Sequence, residues 1–423
     1  MKVVKIVSAA LSTMIFAGCM TCESVRTISV EDYRDKMAGG WFGQIIGVTY
    51  GWPTEFKKAG TLFEDKELPV WTDATANTCF GQDDLYVEMT FLNSLDKHGI
   101  DVSSRKAGID FANSKYRLWC ANNNGRNNLR RGIAAPSSSH PKNHPSTDDI
   151  DYQIEADFSG IIAPGMPQRA VKLGEQFGRI MNYGDGLYAG QFIGGMYAEA
   201  FFENDRVKTV EAGLKCIPQS SKYAQMVRDM LEWYKADPVD WKKAWKLAVD
   251  KYGTKDSPML GKVSFHAIDV KINGACVLLG YLWGDGDIMK TAKISTAAGY
   301  DSDCNPSSAV GVLAVQLGYK NLGPEYTAKF NRKVKWEFTD YDFDTLLAVC
   351  EKITKKIIAA EGGRVEMMDG KEIFVLPVKN VVPSEAVDSK NPGPGGDERL
   401  TEAEMSEILY KPTKNSGDQS EKK

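Results

Sequence analysis

A chain of 423 residues, 43% hydrophobic and 26% charged, has an ordinary globular composition and can bury one large core or two smaller ones without disulfide staples. Its 52 basic residues are balanced by 56 acidic ones, so no basic field exists to hold nucleic acid, and nucleic acid is excluded as a partner. The four histidines, His98, His140, His144 and His266, show no zinc-ligand spacing, so any metal is expected among the plentiful carboxylates.

The chain opens with a targeting segment. Lys2 and Lys5 precede a mainly apolar run over residues 6–18, too short to span a bilayer as a mature helix. The run ends Phe16-Ala17-Gly18-Cys19, which resembles a bacterial lipobox. That resemblance implies loss of residues 1–18, lipidation of Cys19 and a membrane-anchored protein facing the periplasm or the cell surface. The alternative is a plain secretory signal cleaved elsewhere. Export places Cys22, Cys79, Cys120, Cys216, Cys276, Cys304 and Cys350 in an oxidising space, and their spacing assigns no disulfide. Residues 19–28 read as a tether.

From Val30 the pattern turns helical, with Met37, Trp41, Ile45 and Val48 three and four residues apart. Gly39, Gly40, Gly43 and Gly47 lie between them; each costs a helix roughly 1 kcal/mol against alanine, so their number predicts close packing. Gly51-Trp52-Pro53-Thr54-Glu55-Phe56 must be a loop. Gly81-Gln82-Asp83-Asp84 opens a helix over 85–95, with two carboxylates at the positive end of its dipole. Residues 121–153, rich in Asn, Ser, Pro and Gly, read as a long loop whose Arg130 and Arg131 meet a phosphate or solvent. Helices are expected over 168–181, 187–203, 206–216, 222–235 and 241–252, then a buried one over 274–283 and another over 288–298. The loop Gly299-Tyr300-Asp301-Ser302-Asp303-Cys304-Asn305-Pro306 leads into an apolar helix over 307–317. Beyond 322, strands over 334–338 and 371–378 flank a helix over 343–360. The expected division is a helical catalytic domain over 29–322, an α+β extension over 323–380 and a polar, partly disordered tail over 381–423.

Alone, Asp83-Asp84 reads as a helix cap and Asp301-x-Asp303 as a turn. Both pairs, however, open apolar helices from glycine-flanked loops, where uncompensated carboxylates are costly. Facing each other, they could clamp two hard divalent ions about 4 Å apart with a water or substrate hydroxyl between them. Glu88, four residues after Asp84, either supports this centre or lies on the surface. Asp148 and Asp149 read as solvated loop acids. Asp151, Glu155 and Asp157 are denser than a solvated loop requires. Tyr50, Trp52 and Tyr300 either stack on a sugar or adenine or pack the core.

Five segments in order resemble the ADP-ribosylglycohydrolase family over roughly residues 32–320. Gly40-Trp41-Phe42-Gly43-Gln44-Ile45-Ile46-Gly47 is similar to its glycine-rich first helix, and Pro53-Thr54-Glu55-Phe56 to the loop that follows. Gln82-Asp83-Asp84 resembles its Thr-Asp-Asp metal motif. Glu155-Ala156-Asp157-Phe158-Ser159-Gly160 through Pro164 resembles its substrate loop, and Gly299 through Asn305 its second metal motif. The resemblance implies an all-α orthogonal helical bundle, here with a small β-containing C-terminal appendage. It also implies two magnesium ions, with manganese possible, and hydrolysis of an N- or O-glycosidic bond to ADP-ribose. Carried over, Asp83, Asp84, Asp301 and Asp303 are metal ligands, with Gln82 and Cys304 where the family has hydroxyl ligands. Glu55 is the catalytic or positioning carboxylate beside Asp84 and Asp303. Glu155, Asp157, Ser159, Gly160, Tyr300 and Trp52 meet substrate. Cys304 departs most, since a thiol suits magnesium poorly. Gln44 also departs, standing where the family has aspartate.

The expected protein is therefore a monomeric, metal-dependent glycosidic-bond hydrolase acting on an ADP-ribosyl, furanoside or glycan substrate. Two alternatives stand beside it: an exported glycosidase with no ADP-ribose activity, and a non-catalytic metal- or ligand-binding lipoprotein. The four intact aspartates argue against the second.

Overall fold

The computed structural model describes residues 24–253 and 267–412; Cys19, the lipobox and the end of the tail lie outside them. Strand β1 (Val25–Ser29) leads directly into α1 (Val30–Gly51), followed by α2 (Asp83–His98), α3 (Ser104–Ala112), α4 (Cys120–Arg130), α5 (Asp151–Ile154) and α6 (Asp157–Ile161). Then come α7 (Pro167–Phe177), α8 (Asp185–Ala200), α9 (Arg206–Lys215), α10 (Lys222–Ala236), α11 (Trp241–Tyr252), α12 (Val270–Trp283), α13 (Ile288–Ala297) and α14 (Cys304–Leu317). The short α15 (Pro324–Thr327) and the long α16 (Phe343–Ala360) precede the hairpin β2 (Arg364–Met368) and β3 (Lys371–Pro377), and α17 (Glu402–Ser406) closes the described chain. Among the described residues no helix is long and apolar enough to cross a membrane. The architecture is mostly helical with one small sheet, as the periodicities predict.

Helix α1 is the axis of the molecule, about 33 Å long at 1.5 Å per residue. Ser29 caps it by accepting from the Asp32 N–H at 2.9 Å, and Glu31 and Asp32 favour its positive end. Its glycines at spacing four let α14 approach backbone to backbone. A Cβ on Gly43 would lie 2.6 Å from that of Ala314, and one on Gly47 2.2 Å from the Pro306 carbonyl. The helix expected over 274–283 begins earlier, at Val270, and every residue of α12 is buried.

The stretch 121–153 is not a solvent loop. It holds α4, a turn with a cis Ala135–Pro136 bond and α5, and most of it is buried. Its polar side chains bond inward: Asn128 Nδ2 donates to Ser138 O at 2.9 Å, Ser138 Oγ to Ile180 O at 2.8 Å and Asn143 Nδ2 to Ser137 O at 2.7 Å. Buried polar groups so paired do not need water, which is why composition misleads here.

Toward both termini the chain is more integrated than its sequence suggests. Within the expected tether, residues 25–29 form β1, which pairs antiparallel with β3; β2 pairs with β3 on the other side, giving the order β1-β3-β2. Phe42 of α1 packs edge-on against Tyr319, Phe330 and Phe343 at 5.1–6.0 Å, joining the extension to the main core. The strand expected over 334–338 does not form. The Trp336 N–H bonds to Tyr341 O, the Glu337 N–H bonds to Phe80 O, and Phe338 turns to φ 61°. Trp336 is buried and Phe338 exposed, so the apparent alternation comes from one anchored ring in a turn. The tail is docked over 381–412: the Leu400 N–H bonds to Gly132 O at 2.8 Å, and Arg105 pairs with Glu404 at 2.6 Å.

Candidate functional site

The C-terminal end of α1 meets the loop that opens α14. Gly51 lies so close that a Cβ there would be 1.9 Å from the Ser302 carbonyl. Thr54 and Ser302 share a hydroxyl–hydroxyl bond of 2.7 Å. The Phe56 N–H donates to Tyr300 O at 3.1 Å, and the Tyr300 N–H to Lys58 O at 2.7 Å. The loop carrying Glu55 is thereby laced to the loop carrying Asp301 and Asp303. Asn273 on α12 fixes the second loop, its Oδ1 accepting from the Asp301 N–H at 3.2 Å and from Asn305 Nδ2 at 2.8 Å.

These contacts bring distant carboxylates together. One ligand atom each from Asp83, Asp84 and Cys304 lie within 4.8 Å of one another, and so do those from Asp301, Asp303 and Cys304. Asp84, Asp301 and Asp303 are buried, while Asp83 and Glu55 are partly exposed on the open side. Both Asp84 carboxylate oxygens and Asp303 Oδ1 are enclosed with no hydrogen bond of ordinary geometry. Burial pushes the Asp84 carboxyl well above the usual carboxylate range, with the charges of Asp83 and Asp303 adding and the Ser307 hydroxyl opposing. Burial and then Asp303 raise Asp301. Burial also raises Asp303, against the opposing hydrogen bond to Asp301. Orphaned buried oxygens on converging acids fit divalent cations, which would satisfy the lone pairs and reverse the repulsion. Gln82 stands at the N-cap position of α2 without a side-chain cap bond.

More acids crowd behind this cluster. The N-terminus of α4 donates to two of them: the Ala121 N–H to Asp149 at 2.7 Å and the Asn122 N–H to Asp151 at 2.6 Å. The Asn122 side chain donates to Glu155, whose other oxygen is buried without a partner. Burial raises Asp151 and Glu155 far above their ordinary values; the charges of Asp149 and Asp83 add at Asp151, and those of Asp151 and Asp83 add at Glu155. Asp148 and Asp149, read from sequence as solvated, are both buried. The Asp149-x-Asp151 spacing followed by Glu155 four residues later was the available signal for this second layer. Glu88 is buried and accepts from the Phe158 N–H at 2.7 Å. Asp157 lies beside it, held by Tyr197 at 2.8 Å and Ser308 at 3.2 Å.

Ser159, Gly160, Tyr300, Trp52 and Arg130 are placed as follows. Ser159 and Gly160 face α8: a Cβ on Gly194 would lie 2.2 Å from Ser159 Oγ, and one on Gly160 2.3 Å from the Gly194 carbonyl. Tyr300 is buried at φ 64°, its hydroxyl near the backbone of Gly253. Trp52 is 43% exposed on the Glu55 loop. Arg130 donates to the carbonyls of Ala112 and Ser114 at 2.8 and 2.9 Å.

A model of the ADP-ribosylglycohydrolase family matches residues 29–361. A solved chain described as "ADP-ribosylglycohydrolase-related protein complex" is similar at 13% identity and a TM-score of 0.49, over 77% of this chain and 99% of that one. No curated protein matches.

Proposed function

Because this chain belongs to the ADP-ribosylglycohydrolase family, we propose that it is a metal-dependent hydrolase of N- or O-glycosidic bonds in an ADP-ribosyl or related furanoside or glycan substrate. Family and fold suggest glycohydrolase activity. The observation that carries the metal-dependent reading is the convergence of Asp83, Asp84, Asp301 and Asp303 around Cys304, with both Asp84 oxygens and Asp303 Oδ1 buried and without a hydrogen bond of ordinary geometry among the described residues. Two divalent cations held there would supply Lewis-acid polarisation of a substrate hydroxyl and of water. Glu55, on the open side and laced to the Asp301 loop, takes the proton-transfer or charge-stabilising role. Asp84 and Asp303 are locked at helix starts and orient the reacting groups.

One observation favours a substrate without a diphosphate. Arg130, read from the sequence as a partner for phosphate or solvent, is committed to the backbone carbonyls of Ala112 and Ser114. A hydrolysis screen over ADP-ribosyl, nucleoside and aryl-glycoside substrates, with and without chelator, tests both readings. Chelator-sensitive cleavage of some member is expected. Binding without cleavage anywhere would move a binding lipoprotein ahead. The segment Phe16-Ala17-Gly18-Cys19 supports lipid anchoring and export. Cys19→Ala should then release the protein from membranes, and unchanged membrane association would refute the anchor.

A further inference from the structure

The two aspartate pairs have one member in common. Cys304 Sγ belongs both to the group with Asp83 and Asp84 and to the group with Asp301 and Asp303. Two ligands bonded at about 2.0–2.3 Å to one ion lie at most about 4.6 Å apart, so groups this compact are near the span of a single coordination shell. Cys304 is 5% exposed and is the first residue of α14. Around it, two oxygens of Asp84 and one of Asp303 have no hydrogen-bond partner.

Resting on the proposed metal centre, we infer that Cys304 is a thiolate ligand shared by the two aspartate pairs, and that the centre selects a borderline ion such as cobalt(II), zinc(II) or iron(II) over magnesium. Magnesium prefers oxygen and keeps its waters, whereas these ions gain from sulfur as well as carboxylate. Binding deprotonates the thiol and releases that proton to solvent, the cation outweighing the four negative neighbours.

Cobalt(II) is the probe. Titrated into the metal-free full chain, it should give visible ligand-field bands and a sulfur-to-cobalt charge-transfer band in the near ultraviolet. Cys304→Ser should lose the charge-transfer band, keep the ligand-field bands, and lower the preference for cobalt over magnesium in competition by roughly tenfold or more. Cys120→Ser should leave the band intact, since Cys120 belongs to neither group. Cobalt binding without a charge-transfer band in the wild type, or a band that survives Cys304→Ser, overturns the shared thiolate and leaves the metal centre standing. No binding of cobalt or magnesium at all overturns the metal centre itself. The wild-type spectrum decides the matter even if the serine variant does not fold.

Discussion

Near the N-terminal end of α1, Arg34 donates to both oxygens of Glu351 at 2.7 and 2.8 Å, and Arg26 does the same to Glu199 at 2.7 and 3.0 Å. The Arg34 hydrogen bond pulls Glu351 down to about 2. At the other end of the same helix, Asp84, Asp301 and Asp303 have no ion-pair partner among the described residues, and burial holds all three above their ordinary range. One residue class thus serves two ends. Where the chain supplies the cation, the carboxylate supports the fold. Where it does not, burial and mutual repulsion hold the carboxyls toward their neutral form, and the proposed cations would relieve that repulsion.

The largest expected effect breaks the second end. Asp303→Ala should lower activity by roughly a hundredfold or more and erase the metal-dependent rise in melting temperature. In the wild type that rise should correspond to about 2.7 kcal/mol at an ion concentration one hundred times the dissociation constant. Metal-free Asp303→Ala should melt no lower than the metal-free wild type, because repulsion falls. Equal metal shifts in the two proteins would end the comparison.

Gly51→Ala tests the backbone contact that joins α1 to the carboxylate loop. With Ser302 O 1.9 Å from the new Cβ, either the helix end or the loop must move, at about 3 kcal/mol or more. Denaturant unfolding should show the loss, and metal affinity should fall with it. An unchanged midpoint would mean that the contact is looser than the geometry says.

Stability against pH should have opposite signs for the two kinds of acid. Burial raises Asp148 from 3.8 to about 7, with Asp185 adding and Lys271 opposing. A carboxyl raised in the fold confers stability that is full below its unfolded value and is lost as pH rises through about 7. Asp148→Asn should remove up to one proton from the slope across that window, at most about 1.4 kcal/mol per pH unit. Glu351, lowered from 4.5 to about 2, runs the other way and loses its contribution as pH falls through that window. A slope unchanged by Asp148→Asn would show that its carboxyl is not held neutral.

Smallest of all should be Arg34→Ala, because the guanidinium is half exposed and exposed pairs contribute about 1 kcal/mol or less. A loss several times larger would mean that Arg34 secures the helix end by packing as well as by charge.

Much of this was legible in residues taken one segment at a time. The period of Met37, Trp41, Ile45 and Val48 marks α1, and Asp83-Asp84 and Asp301-x-Asp303 announce themselves by opening apolar helices, because helix period and capping are local properties. The glycines of α1 also signal a close approach, though not to what. Tertiary structure decided the rest. It made β1 from residues read as tether by pairing them with a strand from the far end of the chain. It turned the polar run around Asn128 and Ser138 into a buried, internally bonded layer, and made Trp336 the anchor of a turn where alternation suggested a strand. It also set Cys304 between two aspartate pairs and buried Asp149 and Asp151 behind Asp83. Each of these depends on which distant segment supplies the neighbour, and local composition carries no record of that neighbour.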